Sequence, residues 1–300
     1  MGGETATETR PAWEWRAMGA TWRLRHTGKV EIEVVGALAD AIAADERRWS
    51  RFLARSEVSR LNRAPGVPLQ ISTETLDLLL ACDHWHEQTE GAFSVMVGGA
   101  LVGYGYRESQ RVRSPRTSVT PRPEPIPGAL VVVDAVRRLA CVPGGTMLDL
   151  GGVARMWSAD RAAAIVRTLS DDPAILLEIG DDMVAVRGDH LVAVGTGDGE
   201  VGARAVVLRD GYALASSSWS ALLWSNDDGV AAHHLIDPAT GAPADPASAV
   251  VIASDAAEAD ALSTAMAVRP SLVSRLPTTC AMVHAAQGER HTAAWEAVAV

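Results

Sequence analysis

The stretch Asp255-Ala-Ala-Glu-Ala-Asp-Ala-Leu-Ser-Thr264 places a carboxylate and a hydroxyl four residues apart. On a helix, Asp260 and Thr264 share one face. That is the hard-oxygen pair Mg²⁺ accepts, with coordination positions left for water and phosphate. Two polar groups satisfied within their own helix would look the same. Upstream, Asp255 and Glu258 have the spacing of a capping box. A second segment, Met147-Leu-Asp-Leu-Gly-Gly-Val-Ala-Arg155, reads as a strand ending in an acid, a glycine pair and the start of a helix. Glycines let a ligand approach the backbone, and a helix N-terminus offers N–H groups that suit phosphate. Asp149 can hold a ligand hydroxyl or amide there, and Arg155 can pair with a phosphate. An ordinary β-turn-α unit explains the pattern equally well. His233-His234-Leu-Ile-Asp-Pro-Ala-Thr-Gly carries strong turn chemistry, with His234 either catalytic or simply a loop histidine. Gly91-Ala-Phe93 follows a helix and can wall a flat ring or pack a core.

Other patterns do not carry chemistry. Gly195 to Gly199 alternates glycine but sits between strands and opens no helix, so it is no dinucleotide fingerprint. There is no phosphate-binding G-x-x-x-x-G-K-[ST] and no G-x-S-x-G elbow, so Ser217 with His234 is a weak hydrolase signal. His84 and His86 are two apart on a predicted helix, whereas ligand pairs need three or four to share a face.

These segments need elements to hold them. A strand is read over 17–25, a helix over 35–52, a loop or short helix to Pro65-Gly66, and a helix from Ser72 to about Gln88. The Pro-, Ser- and Arg-rich stretch 107–128 reads as a surface excursion. Short β-like runs follow at 130–133 and 146–150, then a helix over 153–169. Strands at 174–179, 183–187, 191–194, 203–208, 213–215 and 250–253, a helix over 256–268 and a strand near 279–284 complete the chain. This irregular interleaving predicts an α+β fold with a mixed sheet. Residues 1–16 are expected as a variable N-terminal segment and 17–300 as a single domain.

Composition bounds the function. The 300 residues are 48% hydrophobic, enough for a core. Net charge is −10 with a single lysine, Lys29, which argues against nucleic acid as a partner. Three scattered cysteines form neither a disulfide framework nor a zinc motif. No apolar run is long enough to span a bilayer, and no secretory signal is visible. A cytoplasmic protein is the expectation.

Taken in order, Met18-Gly-Ala-Thr21, Ser56-Glu-Val-Ser-Arg-Leu-Asn62, Gly91-Ala-Phe93, Asp149-Leu-Gly-Gly152, His234-Leu-Ile-Asp-Pro238 with Thr240-Gly241, and Ala259-Asp-Ala-Leu-Ser-Thr264 resemble the ApbE family of FAD:protein FMN transferases. The resemblance implies a T-fold-related architecture. It also implies an enzyme that binds FAD and Mg²⁺, cleaves the pyrophosphate, passes FMN to a Thr or Ser of an acceptor protein domain, and releases AMP. FAD pyrophosphatase activity, with water as acceptor, and non-catalytic FAD binding are the alternatives within it. By the same resemblance, Asp260, Thr264 and the Gly152 carbonyl are the Mg²⁺ ligands. Met18, Phe52, Ala92, Phe93, Ser94, Asp149, Arg155 and Ile236 fall where the family contacts FAD, and His234 is the candidate for deprotonating the acceptor hydroxyl. The chain departs from the family pattern at Ser94, where an acid is usual, and at Arg155-Met156, where Lys-Gly is usual. Ser216-Ser-Ser218 replaces Thr-Ser-Gly, and Gly180-Asp-Asp182 replaces Gly-Gly-Asp. Met156 is expected to crowd the ligand turn.

Overall fold

The computed structural model describes residues 10–107, 124–126, 130–195, 204–225 and 231–300. Its first unit is a hairpin, Arg10–Ala17 (β1) and Ala20–His26 (β2), turning at Met18-Gly19 with φ of +49° and +78°. A turn of that hand suits the strand twist and favours glycine. Helices follow at Ile32–Trp49 (α1), Glu57–Arg63 (α2), Thr73–Gln88 (α3) and Gly98–Gly103 (α4), with a short strand Leu69–Gln70 (β3) between α2 and α3. Val132–Asp134 (β4) and Leu139–Cys141 (β5) join β3 in a small sheet, ordered β3-β5-β4. Ala154–Leu169 (α5) leads into Ile175–Ile179 (β6), Asp182–Arg187 (β7), His190–Val194 (β8), Arg204–Leu208 (β9) and Ala213–Ser218 (β10). The short strands Leu223–Ser225 (β11), Ala231–His233 (β12), Ile236–Asp237 (β13) and Ala242–Pro243 (β14) precede Ala247–Ala253 (β15). Ala256–Val268 (α6), Cys280–Ala285 (β16), Gly288–His291 (β17) and Ala293–Glu296 (α7) close the chain.

Eight strands make the main sheet, in the order β1-β2-β6-β7-β10-β15-β16-β17. The α+β class holds, and every neighbouring pair in this sheet runs antiparallel. Alternation along the strands assigns the faces. Val184 and Val186 of β7 point with Trp22, Leu24, Ile175 and Leu177 into a core closed by α1 and α5. Ala215, Ala249 and Val251 face α6 and the residues of α3. The intervening positions, Ala185, Leu214, Val250 and Ile252, pack on the far face against Val192 and Val194 of β8, Val206 and Leu208 of β9, and Trp295.

The pairing of β7 with β10 is short: Ala213 opposes Val184 and Leu214 opposes Met183. Beyond that point the ladder opens, and the backbone N–H of Ser216 donates instead to Asp182 Oδ1, 2.8 Å away. Ser217 on β10 therefore looks onto α6 from the mouth of a fork in the sheet.

Several expectations shift. The first strand spans Arg10–Ala17, ahead of the strand read over 17–25, so residues 10–16 of the N-terminal segment belong to the sheet. The run 146–150 is an irregular segment that touches its neighbour through one parallel bridge, Val97 to Met147. Its backbone is held instead by side chains and loops, with the Asn62 carboxamide bonding both polar groups of Leu148. Of the excursion 107–128, Arg107 and Glu124–Ile126 are described and the rest lies outside the described residues. Among the described residues, no helix is long and apolar enough to cross a membrane.

Candidate active site

The candidate site lies at the fork, where α5, α6, the 148–153 turn and the 51–52 loop converge. Helix α6 forms where predicted. Asp255 caps it, accepting from the Glu258 N–H at 2.8 Å. A second carboxylate, Asp160 of α5, accepts from the N–H groups of Ala256 and Ala257 at 2.9 and 3.0 Å. The helix is rich in alanine and buried on nearly every side, so it sits close against β10 and β15. One turn below its cap, Asp260 is 3% exposed and its Oδ2 has no hydrogen-bond partner among the described residues. Thr264, a turn further on, directs Oγ1 toward the glycine turn: a Cβ added to Gly152 would lie 3.8 Å from it.

The setting around Asp260 is electrostatically loaded. Burial pushes its carboxyl well above the ordinary range, and the charge of Asp182 adds to the rise, opposed by Arg155. Asp182 is likewise buried and raised by desolvation, with Arg155 as the main opposing influence. The Arg155 guanidinium stands 3.7 Å from Asp182 Oδ2, while its own Nε is buried and unpartnered among the described residues. Two buried carboxylates with one cation nearby among the described residues are short of positive charge.

Helix α5 begins on the glycine turn. No side chain among the described residues caps it. Helices α2, α3 and α6, by contrast, are capped by Ser56, Ser72 and Asp255. An uncapped first turn beside two glycines leaves N–H donors for an anion.

Asp149 is already engaged. Oδ1 accepts from Gly151 N–H at 2.6 Å, and Oδ2 forms a short, buried ion pair with Arg51 Nε. Arg51 also donates from Nη2 to the Tyr106 carbonyl at 2.7 Å. Its guanidinium carbon lies 4.2 Å from the Phe52 ring centre and 4.8 Å from that of Tyr106. Tyr106 stacks on Trp224 at 5.4 Å, and Trp224 is fixed by a bond from Nε1 to the Tyr104 carbonyl. Phe52, about a third exposed, thus edges an aromatic wall that Arg51 supports from behind.

His234 precedes β13. Burial pulls its imidazole down to about 4, helped by His233 and Arg155, and its Nδ1 is unpartnered among the described residues. The ring is therefore neutral near pH 7 and a weaker base than a free imidazole, with Nδ1 positioned to accept a hydrogen bond.

The structure gathers Asp260, Thr264, Gly152 and Arg155, with His234 within electrostatic reach of Arg155. The other predicted residues are packed into the surrounding clusters, Ile236 beside Tyr106 and Trp224 of the aromatic wall. Ala92 and Phe93 are core residues, Phe93 packing edge-on against Trp85. Ser94 caps its own turn through Met96 N–H. Ile236 lies in a small cluster with Leu101, Tyr104 and Ala232. Met18 sits in the β1–β2 turn against both main cores. Met156 does not crowd the ligand turn: it is fully buried with Trp22 and Leu38 on the opposite side of α5. His86 bonds the Phe93 carbonyl. Among the described residues no three His, Cys, Asp or Glu side chains gather as a metal cluster. A site built from one carboxylate, one hydroxyl and one carbonyl does not require such a cluster. Sequence reasoning missed Arg51, Tyr106, Trp224, Asp182 and Ser217 as members. Of these, Asp182 carried a signal as the acid closing Gly180-Asp-Asp182, and Ser217 as the centre of Ser216-Ser-Ser218.

A cluster of oxygen donors, a helix N-terminus without a side-chain cap among the described residues and an aromatic wall are features that suit a phosphorylated ligand carrying a flat ring. The chain belongs to the ApbE family, whose sequence model matches residues 18–275. It is 26% identical over 282 residues to a FAD:protein FMN transferase of Haemophilus influenzae, covering 84% of this chain and 79% of that protein. It is 25% identical over 273 residues to one of Vibrio cholerae, with the same coverage. An ApbE protein of Thermotoga maritima superposes with a TM-score of 0.81 at 24% identity, covering 97% of this chain and 99% of that one. The flavin transferase ApbE of Vibrio cholerae superposes with a TM-score of 0.77 at 19% identity, covering 97% and 100%.

Proposed function

We propose that this chain is an Mg²⁺-dependent FAD:protein FMN transferase. It takes FAD as substrate and a Thr or Ser hydroxyl of a partner flavoprotein as acceptor. The observation that carries the reading is the buried Oδ2 of Asp260, without a hydrogen-bond partner among the described residues, one helical turn from Thr264, whose Oγ1 lies against the Gly152 turn that opens α5. Relatives named FAD:protein FMN transferase and the shared fold support it.

Asp260, Thr264 and the Gly152 carbonyl would hold Mg²⁺, whose charge would neutralise the diphosphate as its bridging bond breaks. The carboxylate–hydroxyl–carbonyl set fits a hard cation, because every donor is oxygen and Asp260 Oδ2 has no hydrogen-bond partner among the described residues. Arg155, whose Nε has no partner among the described residues, and the first turn of α5 orient the phosphates. Arg51 keeps the Phe52–Tyr106–Trp224 wall rigid for a ring to lie against. His234, neutral in this setting, takes the proton of the acceptor hydroxyl. The hydroxyl oxygen bonds to the FMN phosphorus, the phosphoanhydride P–O bond breaks, and AMP leaves with the electron pair. The transfer relies on positioning and charge stabilisation, with no covalent enzyme intermediate.

A cytoplasmic setting agrees with three free cysteines. The acidic chain suits a protein rather than a nucleic-acid acceptor. The experiment is incubation with FAD, Mg²⁺ and an FMN-acceptor domain, followed by intact mass spectrometry. An acceptor heavier by one FMN less water is expected. An unmodified acceptor, with FAD bound, overturns the transferase reading. Free FMN and AMP released without acceptor identify water as the acceptor instead.

A further inference from the structure

Behind Thr264 lies a chain of hydroxyls that the proposed reaction does not use. Ser217 Oγ of β10 is 3.2 Å from Thr264 Oγ1 and 2.8 Å from Ser263 Oγ. Ser263 Oγ is 3.0 Å from the carbonyl oxygen of Asp260. Ser263 is fully buried and Ser217 nearly so.

Each hydroxyl has one proton, and a carbonyl can only accept. The chain therefore has one direction. Ser263 gives its proton to the Asp260 carbonyl, so it must accept from Ser217. Ser217, its proton spent on Ser263, must accept from Thr264. The Thr264 proton is thus drawn back into the β10–α6 interface, and its oxygen presents lone pairs alone toward Gly152. We propose that Ser217 and Ser263 are positioning residues that fix the Thr264 hydroxyl as an acceptor-only ligand for a hard divalent cation. Without Ser217, the Thr264 proton is free to rotate toward the cation and oppose its binding. Groups that orient a metal's ligands in this way change affinity by about 10- to 100-fold when removed. The inference rests on the cation site proposed above.

The test is titration of the full chain with Mn²⁺ alone, an ion that takes the same oxygen ligands, followed by loss of the free-ion EPR signal. Thermal melting runs in parallel. Ser217→Ala and Ser263→Ala are each expected to weaken Mn²⁺ binding by about tenfold. Ser217→Thr, which keeps the hydroxyl, restores binding close to wild type. If both alanine variants bind as tightly as wild type while Thr264→Val and Asp260→Asn do not, the relay is overturned and the cation site stands. A lowered melting temperature with unchanged affinity assigns the serines to packing alone and overturns the relay too. If Thr264→Val and Asp260→Asn also bind as wild type, the cation site itself fails. Should Ser217→Ala not fold, Ser263→Ala decides the matter.

Discussion

Arg51 and Asp149 are 98 residues apart in sequence and form an ion pair with both side chains under a tenth exposed. Arg51 has further partners in the Tyr106 carbonyl and two ring faces, and Asp149 in Gly151 N–H. Removing one member leaves the other charge buried without compensation, which costs about 3–5 kcal/mol. Arg51→Met is expected to lower stability by that amount in urea unfolding and to loosen the aromatic wall, seen as weaker FAD binding. Arg51→Met with Asp149→Asn should cost less than the sum of the two, because the second change removes the charge the first exposed. Asp149 was legible as a turn acid before two glycines. Its partner was not, because no local pattern in Ser50-Arg-Phe52 shows which distant carboxylate the arginine meets.

At the scale of elements, α5 and α6 carry most of the proposed site and are tied by Asp160, which bridges from one to the first N–H groups of the other. Burial and the neighbouring charge of Asp255 push the Asp160 carboxyl up to about 7. A carboxyl raised in the fold favours the protonated native state. Its contribution is fully present below the unfolded value near 4 and is lost as pH rises through about 7. The melting temperature should therefore fall between pH 5 and 8 by an amount this group helps set, with a slope of at most about 1.4 kcal/mol per pH unit for one proton. Asp160→Asn, measured by melting across that range, is expected to flatten the slope. An unchanged slope would assign the pH dependence to other groups. Both helices were readable from their sequences, α6 within a residue at each end, because Asp255 and the alanine-rich run leave little choice. That α6 is buried on nearly every side was not readable, since small residues give no apolar stripe. The 146–150 run looked like a strand because its residues are apolar. It is held instead by Asn62 and the Val95 carbonyl, partners outside its own stretch.

In the whole molecule, the antiparallel sheet separates two tasks. The helical face carries the candidate site, and the far face buries Trp295 with Val206, Leu208 and Met282. Trp295→Ala should cost about 3–5 kcal/mol through the cavity it leaves, read by urea unfolding. Mn²⁺ affinity in the same variant, at a temperature where it stays folded, is expected to match wild type. A parallel loss of affinity would mean that the two faces are coupled through the strands. The order of strands in the sheet was beyond sequence reading: β2 pairs with β6 across almost 150 residues. The α+β class needed only the interleaving of periods. At the fork, Asp182 both terminates the β7–β10 ladder on Ser216 N–H and sets the charge felt by Asp260 and Arg155. A mutational scan scored by abundance and one scored by turnover would therefore flag this position together. Neither screen by itself would reveal that one carboxylate serves both as a seam in the architecture and as an electrode for the chemistry.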